Sequence, residues 1–248
     1  MRRILLRVAY DGTGYVGWQK QNNGIAVEEI LNRALSELTG ETVEVIGASR
    51  TDSGVHALGN VAVFDTASPI PPEKFCFAVN AHLPADIVVR ESLEVPADFH
   101  PRYTECEKTY EYRIYNATHR NPLNSRYTYF YHGALDIAAM REAAEYLVGE
   151  HDFASFCSVG AQVKTTVRTV YSVEIEEKDL TVTIRIRGNG FLYNMVRIIA
   201  GTLVNFGAHM YPPEHMKDIV DAKDRAAAGP TAPPQGLTLM KIDYKEIR

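Results

Sequence analysis

The residues best suited to chemistry lie in one turn-rich segment, residues 47–57, which reads GASRTDSGVHA. The segment places one carboxylate, Asp52, between the cationic Arg50 and the titratable His56. An ionised carboxylate in a loop that a rigid sheet supports can act as a nucleophile. Composition alone also allows a simpler interpretation, in which residues 51–53 cap their own backbone in a turn.

Hydrophobic periodicity predicts the elements that must hold this loop. Residues 3–10 alternate between apolar and polar positions, which predicts a half-buried strand. Residues 27–38 carry apolar side chains at helical spacing, and Gly40 follows where a helix C-terminus is expected. The remaining elements of this half are three predicted strands, at residues 42–46, 60–64 and 86–93, and a helix at residues 71–81 that two prolines open. The resulting order is β-α-β-β-α-β.

The second half repeats this order. It has predicted strands at residues 108–115, 170–175, 182–187 and 238–242, and predicted helices at residues 136–147, 191–206 and 213–222. The order is that of a ferredoxin-like unit, an antiparallel sheet covered on one side by two helices. We therefore expect an α+β fold of two such halves with mainly antiparallel sheets, residues 1–104 and 105–248, with a cleft between them in which a functional site would lie. Residues 226–236 are rich in Pro and Gly, which predicts a loop over the surface.

Composition places the chain among globular proteins, with 46% hydrophobic and 23% charged residues, and excludes the disordered and fibrous classes. No stretch approaches the roughly 20 uninterrupted apolar residues of a membrane-spanning helix, so we expect a cytoplasmic protein without a membrane partner. The three widely spaced cysteines, Cys76, Cys106 and Cys157, predict free thiols rather than a disulfide or a zinc site.

The net charge of −5 argues mildly against a nucleic-acid partner, because phosphate binding usually shows as a basic excess. An RNA site would therefore be a local basic patch. The candidate contributors, each of which alone is more often a solvated surface charge, are Arg2, Arg3, Arg7, Lys164, Arg168, Arg185, Arg187 and Arg197.

A longer stretch around Asp52, GASRTDSGVHALGNVAVFD, resembles the signature segment of the TruA-type family of tRNA pseudouridine synthases. Five further segments resemble the same family and follow its order along most of the chain: YDGTGYVGWQ, FHPR, KTYEY, HDF and GFLYNMVR. The resemblance implies an enzyme that converts uridine to pseudouridine in the anticodon stem-loop of tRNA, at positions 38, 39 and 40. The reaction breaks the glycosidic bond and rejoins the uracil ring through carbon.

The resemblance also implies roles for individual residues. Asp52 corresponds to the essential nucleophile, and Arg197 to the guanidinium that keeps this carboxylate ionised in a partly buried site. Tyr110 corresponds to the tyrosine that stacks on the target base once the base is flipped from its helix. Arg50, His56 and Arg102 are candidate contacts to phosphate or ribose. These last three are the candidate substrate-binding residues beside Tyr110.

The implied reaction has no redox, phosphate-transfer or hydrolytic step, so we expect no metal or cofactor, in agreement with the lack of a phosphate loop or dinucleotide fingerprint. By the same resemblance the cleft between the two halves is the RNA-binding and active-site cleft, and the enzyme is a homodimer whose RNA site draws on both subunits. Arg102 follows a proline where the family commonly has alanine, and Lys108 stands where it often has arginine, which affects only peripheral RNA contacts.

Two of these residues also have simpler interpretations. Arg197 lies off the apolar stripe of the predicted helix 191–206, which is typical of a solvated arginine as well. Tyr110 lies in an alternating stretch where an aromatic side chain commonly packs a sheet. The alternative functions are a non-catalytic RNA-binding module, a synthase with another RNA target, and a carboxylate hydrolase. Attack by Asp52 at the anomeric carbon or at C6 of uracil is equally compatible with the sequence.

Overall fold

The structure is a computed structural model that describes residues 1–160, 163–245 and 247. It divides into two units, and the first strand of the sequence lies in the sheet of one of them. Together the units form a mixed α/β fold whose strands pair mainly antiparallel. The first unit is Met1–Cys106 with Leu239–Arg248, and the second is Glu107–Thr238. The last strand of the chain therefore joins the first unit for most of its length.

The sheet of the first unit is centred on β1 (Arg2–Tyr10), the strand predicted from alternation. It pairs antiparallel with β3 (His56–Thr66) on one side and with β4 (Ile87–Val95) on the other. Beyond β3 lies β10 (Leu237–Tyr244). Gly59 of β3 permits this neighbour, because a Cβ there would lie 2.8 Å from the Met240 carbonyl oxygen.

The described residues of this unit also form two α-helices. The first, α1 (Val27–Thr39), confirms the predicted helix, and Gly40 ends it in the left-handed conformation at φ 71°. The second, α2 (Phe75–Asn80), follows a 3₁₀ turn at Pro72–Lys74 and is shorter than predicted.

The strand predicted at residues 42–46 is wrong except at its end, since β2 is only Ile46–Gly47. The backbone before β2 is bound to α1 instead of to a sheet. Val43 N donates to Ser36 Oγ at 2.9 Å, and Val45 N donates to Asn32 Oδ1 at 2.8 Å. Polar side chains on the helix therefore take the place that a neighbouring strand would fill.

The second unit contains a sheet in the order β5-β9-β8-β7 with antiparallel pairing. Its strands are β5 (Cys106–Asn116), β7 (Gly149–Asp152), β8 (Val167–Lys178) and β9 (Thr181–Gly188). A short strand, β6 (Tyr129–Tyr131), pairs parallel with β5. Neither β6 nor β7 was predicted, because four or fewer residues carry too little periodicity.

The described residues of this unit form the α-helices α3 (Ile137–Glu145), α4 (Met195–Gly207) and α5 (His215–Ala222). The helix predicted from residue 191 begins four residues later, because Asn194 adopts a left-handed conformation at φ 60°. None of the helices among the described residues is long and apolar enough to cross a membrane. Cys76, Cys106 and Cys157 are not joined in a disulfide, as predicted.

Candidate active site

Asp52 lies half-buried in the loop between β2 and β3. The segment between β1 and α1 holds the backbone on its N-terminal side, where Trp18 N donates to Thr51 O at 3.0 Å. On its C-terminal side, Val55 N donates to the carbonyl of Asp52 itself at 3.1 Å, which closes a turn. The conformation of the backbone around the carboxylate is thus fixed independently of the carboxylate's own contacts.

Two glycines let this segment approach the loop. A Cβ on Gly12 would lie 2.0 Å from Val55 O, and a Cβ on Gly17 would lie 2.5 Å from Thr51 O. Gly17 also has a φ of 105°, which L side chains rarely adopt. The YDGTGYVGWQ segment therefore packs against the Asp52 loop and holds its backbone. This contact was not predicted from the sequence, although both segments are among those that resemble the family.

Buried polar side chains form hydrogen bonds with residues 49–51 of the Asp52 loop. Tyr10 Oη and Thr51 Oγ1 are 2.7 Å apart. Asn60, which is fully buried, donates from Nδ2 to Ser49 O at 3.0 Å and to Tyr10 Oη at 3.2 Å. Because a buried donor left unpaired costs about 1 to 3 kcal/mol, this network favours one conformation of residues 49–51.

The predicted substrate contact His56 is 4% exposed at the start of β3. Its Nδ1 accepts a hydrogen bond from Gly12 N at 3.0 Å and lies 3.2 Å from Asp11 Oδ1. The bond from the backbone requires a lone pair on Nδ1, so in the neutral ring the proton sits on Nε2. His56 thereby joins the Asp52 loop to the glycine-bearing segment.

Arg50 and Arg102 both lie at the surface of the first unit. Arg102 donates from Nε to Gly47 O at 2.8 Å, so its guanidinium is tied to the first residue of the Asp52 loop. Partial burial of this guanidinium lowers the pKa of Arg102, and the positive charge of Arg50 lowers it further. Two neighbouring guanidinium groups form a suitable place for a phosphate oxygen.

Tyr110 and Arg197 belong to the second unit. Tyr110 pairs with Ile186 across β5 and β9 and is 9% exposed. Its ring meets that of Phe191 edge-on, with centroids 5.2 Å apart and planes at 83°. Tyr110 is therefore mostly buried, as the simpler interpretation of this residue also predicts.

Arg197 lies in the first turn of α4, where it and Asn205 are the two residues of the helix that are not buried. Its Nη1 donates to Asn194 Oδ1 at 2.7 Å and its Nε donates to Ala232 O at 2.8 Å. The prediction that residues 226–236 form a loop over the surface is wrong at Ala232, which is 3% exposed. The interpretation of Arg197 as a purely solvated arginine is wrong as well.

Several of the arginines proposed for a basic patch are ion-paired instead. The pairs are Arg3 with Asp65 at 2.7 Å, Arg7 with Glu91 at 2.6 Å, and Arg185 with Glu111 at 2.6 Å. Burial raises the pKa of Glu111, but hydrogen bonds from Arg185 and Arg113 outweigh it and leave the pKa below its usual range. These arginines therefore contribute less to phosphate binding than their number suggests.

Within residues 1–160, 163–245 and 247, no cluster of three or more His, Cys, Asp or Glu side chains could hold a metal ion. The first unit brings together Asp52, Arg50, His56 and Arg102, and the second unit holds Tyr110 and Arg197.

Comparison with known proteins gives concordant matches. A family model described as tRNA pseudouridine synthase matches residues 7–104 and 143–245. The chain is 48% identical to tRNA pseudouridine synthase A of Caldicellulosiruptor bescii, over 98% of this chain and 100% of that protein. With the same coverage it is 47% identical to tRNA pseudouridine synthase A of Clostridium acetobutylicum and 48% identical to that of Acetivibrio thermocellus. The family model covers Asp52 and Arg197, whereas Tyr110 falls between its two matched spans.

Proposed function

Because the chain belongs to the tRNA pseudouridine synthase family, we propose that it isomerises uridine at positions 38, 39 and 40 of the tRNA anticodon stem-loop, with Asp52 as the nucleophile. The observation that carries this proposal is the construction of the Asp52 loop. Two close-packed glycines, a buried hydrogen-bond network and a buried histidine all hold the backbone of one half-buried carboxylate. A turn that merely capped itself would need none of them.

The chemistry assigned to Asp52 is covalent catalysis. Its carboxylate oxygen forms a bond to the substrate, either at C1′ of the ribose or at C6 of uracil. Attack at C1′ displaces N1 directly, whereas after addition at C6 the N1–C1′ bond breaks in a following step. C5 of the base then bonds to C1′, and the bond to Asp52 breaks and returns the free carboxylate. C5 loses its hydrogen as a proton and N1 gains a proton, so no electron acceptor and no added water are consumed.

Arg197 and Tyr110 complete the catalytic set. A guanidinium favours the ionised form of a carboxylate, and this is the role we propose for Arg197 toward Asp52. Tyr110 offers an aromatic ring for stacking on the flipped base, and the edge-on contact with Phe191 holds that ring in one orientation. We propose that Tyr110 also assists removal of the C5 proton.

For RNA binding we propose Arg50 and Arg102, whose paired cations suit a phosphate, with His56 contributing through the loop that it holds. We propose in addition that the protein acts as a homodimer in the cytoplasm and needs no cofactor. The halves are proposed to be ferredoxin-like. The order β4-β1-β3-β2 in the first unit, with α1 and α2 between strands, supports this.

The test is release of tritium from tRNA transcripts labelled at C5 of uridine, without added metal or cofactor. We expect release by the intact protein, mapped to the anticodon stem-loop, and none by Asp52→Ala. Ser53→Ala is the matched control, because Ser53 is the exposed neighbour in the same loop, and it should retain activity. Tight tRNA binding without release by the intact protein would instead favour a non-catalytic RNA-binding module.

A further inference from the structure

The guanidinium of Arg197 is held at two of its nitrogens by two separate parts of the second unit. One bond runs from Nη1 to Asn194 Oδ1 at 2.7 Å, and the other from Nε to Ala232 O at 2.8 Å. Two bonds from one planar group fix its plane as well as its position. We propose that Asn194 and residues 228–236, here called the proline segment, position Arg197 for the reaction. This inference rests on the catalytic role proposed for Arg197.

Asn194 stands at the N-cap position of α4, where an Asn side chain normally accepts a hydrogen bond from the first turn of the helix. Here the side chain makes no such capping bond. Its Oδ1 accepts from Arg197, and its Nδ2 donates to Ser158 Oγ at 2.9 Å. Flipping the amide would place Nδ2 against the guanidinium, donor against donor, and would lose the bond from Arg197. The Asn194 side chain thus binds Arg197 instead of capping α4.

The backbone of Asn194 serves the same arrangement. Its φ of 60° lies in the left-handed region, which Asn tolerates better than most residues. In this conformation residue 194 ends the preceding turn and starts α4, one helical turn before Arg197. The three-residue separation then lets the short Asn amide reach the guanidinium.

The proline segment holds Ala232 O just as firmly. On one side of Ala232, Gly229 N donates to Thr202 Oγ1 at 2.9 Å. On the other side, the hydroxyl of the fully buried Tyr112 donates to Pro233 O at 2.8 Å. The carbonyl that accepts from Arg197 is therefore fixed by anchors before and after it.

The proline segment also lies directly on the backbone of α4. A Cβ on Gly201 would lie 1.9 Å from Pro230 O, so only glycine permits this approach. Arg197 itself closes the contact, because its backbone carbonyl accepts from Ala232 N at 3.0 Å while its side chain donates to Ala232 O. A segment that the sequence describes as irregular is in this way a structural part of the arginine site.

The consequence is chemical. Both of these bonds go to neutral oxygen atoms, so neither cancels the charge of the guanidinium, and a carboxylate can still interact with that charge. An arginine that is already oriented loses less conformational freedom when it binds its partner. Misplacement of about 1 Å at a catalytic group can cost roughly a hundredfold in rate.

The decisive variants are Asn194→Gly and Asn194→Asp. Glycine accepts the left-handed backbone without strain, so Asn194→Gly removes the amide and leaves α4 intact. Aspartate keeps an oxygen at the same position and tolerates the same backbone. We expect Asn194→Gly to lower kcat for tritium release about tenfold to a hundredfold with KM unchanged, and Asn194→Asp to restore kcat to within about threefold.

A double variant identifies the route of the effect. If Asn194 acts through Arg197, then Asn194→Gly combined with Arg197→Lys is no slower than Arg197→Lys alone. Full additivity of the two changes, or an Asn194→Gly variant within about threefold of the intact protein, would overturn the proposal.

A second readout does not depend on the reaction. Hydrogen exchange at the Nε–H group of Arg197, identified by its loss in Arg197→Lys, should be slow in the intact protein and at least about tenfold faster in Asn194→Gly. Unchanged exchange would overturn the positioning role. Absence of tritium release from the intact protein would overturn the proposed function alone, since the exchange rate reports the holding of Arg197 by itself.

Discussion

The Asp52 loop and the first turn of α4 each hold one charged side chain, but they do so with different kinds of contact. The loop is held mainly by close approach of two backbones, at Gly12 and Gly17. Arg197 is held mainly by the hydrogen bonds that its side chain donates to Asn194 Oδ1 and to Ala232 O. A backbone contact of this kind tolerates no added atom, whereas a side-chain contact can be weakened in steps.

This difference determines which of the two kinds of contact can be recognised from the sequence. Backbone contact requires glycine and therefore leaves a compact pattern within a few residues of the first strand. Side-chain support draws on residues that are 35 positions apart, such as Arg197 and Ala232, and leaves no local pattern. Substitutions that test the two mechanisms should therefore differ in size.

The largest expected effect is that of Gly12→Ala. The new Cβ would lie 2.0 Å from a backbone oxygen that cannot move without displacing the Asp52 loop. We expect a loss of about 3 kcal/mol or more in the free energy of unfolding, together with loss of activity. Gly14→Ala is the control two residues away, because nothing lies within 4 Å of its Cβ, and it should change stability by less than about 0.5 kcal/mol. Urea unfolding of both variants measures the two free energies of unfolding. Equal values would refute the claim that close backbone approach at Gly12 holds the Asp52 loop.

Gly201→Ala should be the next most damaging change. Its Cβ would lie 1.9 Å from Pro230 O, and the proline segment, which is anchored by hydrogen bonds to side chains and not by a sheet, would have to move away. We expect a loss of about 2 kcal/mol in unfolding free energy and a roughly tenfold lower kcat, because Ala232 O moves with the segment. Gly190→Ala is the control, since its nearest neighbours are side-chain atoms of Arg168 at 3.7 Å. A kcat that is unaffected while stability falls would separate the proline segment from Arg197.

Glu111→Gln tests whether the charges on the second sheet matter for the site. The folded pKa of Glu111 lies below its usual value of 4.5, so its ion pairs stabilise the protein above that pH and are lost as pH falls through the folded pKa. At pH 7 we expect a loss of about 2 kcal/mol on substitution, which shrinks as the pH is lowered from 7 through the folded pKa of Glu111. Thermal unfolding across this pH range measures it. Tritium release should be unchanged at pH 7, and a large fall in kcat would show that the sheet charges also position the site.

The smallest expected effect is that of Ser158→Ala. This change removes one hydrogen bond, from Asn194 Nδ2 to Ser158 Oγ, and leaves the bond from Arg197 to Asn194 in place. We expect a loss of about 1 kcal/mol in stability and a kcat lower by about threefold or less. The test is to measure kcat of the Ser158→Ala and Asn194→Gly variants side by side by steady-state kinetics. A larger effect of Ser158→Ala than of Asn194→Gly would contradict the assignment of Asn194 as the direct support.

Long periodic elements were predictable from the sequence. β1 and α1 form as expected because one face of each is buried, and burial imposes the period of the element on the sequence. Short elements were not predictable, as β6 and β7 illustrate. The predicted strand at residues 42–46 failed because side chains of α1 satisfy its backbone, and no local pattern reveals such a distant partner.

Residues of the candidate site were predictable only where their roles follow from the family resemblance. Asp52 and Arg197 lie in segments that resemble one family, and both fall within the residues that the family model matches. The supporting residues Asn60 and Asn194 were missed, because a buried amide has no signature of its own in a single sequence. Only the structure shows which carbonyl or guanidinium each amide meets.

The most direct test of the account is the single-turnover rate of C5 tritium release by Asp52→Asn. Asparagine keeps the shape of the side chain but cannot act as a carboxylate nucleophile, and tRNA binding and urea unfolding verify that the loop persists. We predict a rate at least about a thousandfold below that of the intact protein, with tRNA affinity unchanged. A rate within about threefold of the intact protein would contradict the assignment of Asp52 as the nucleophile.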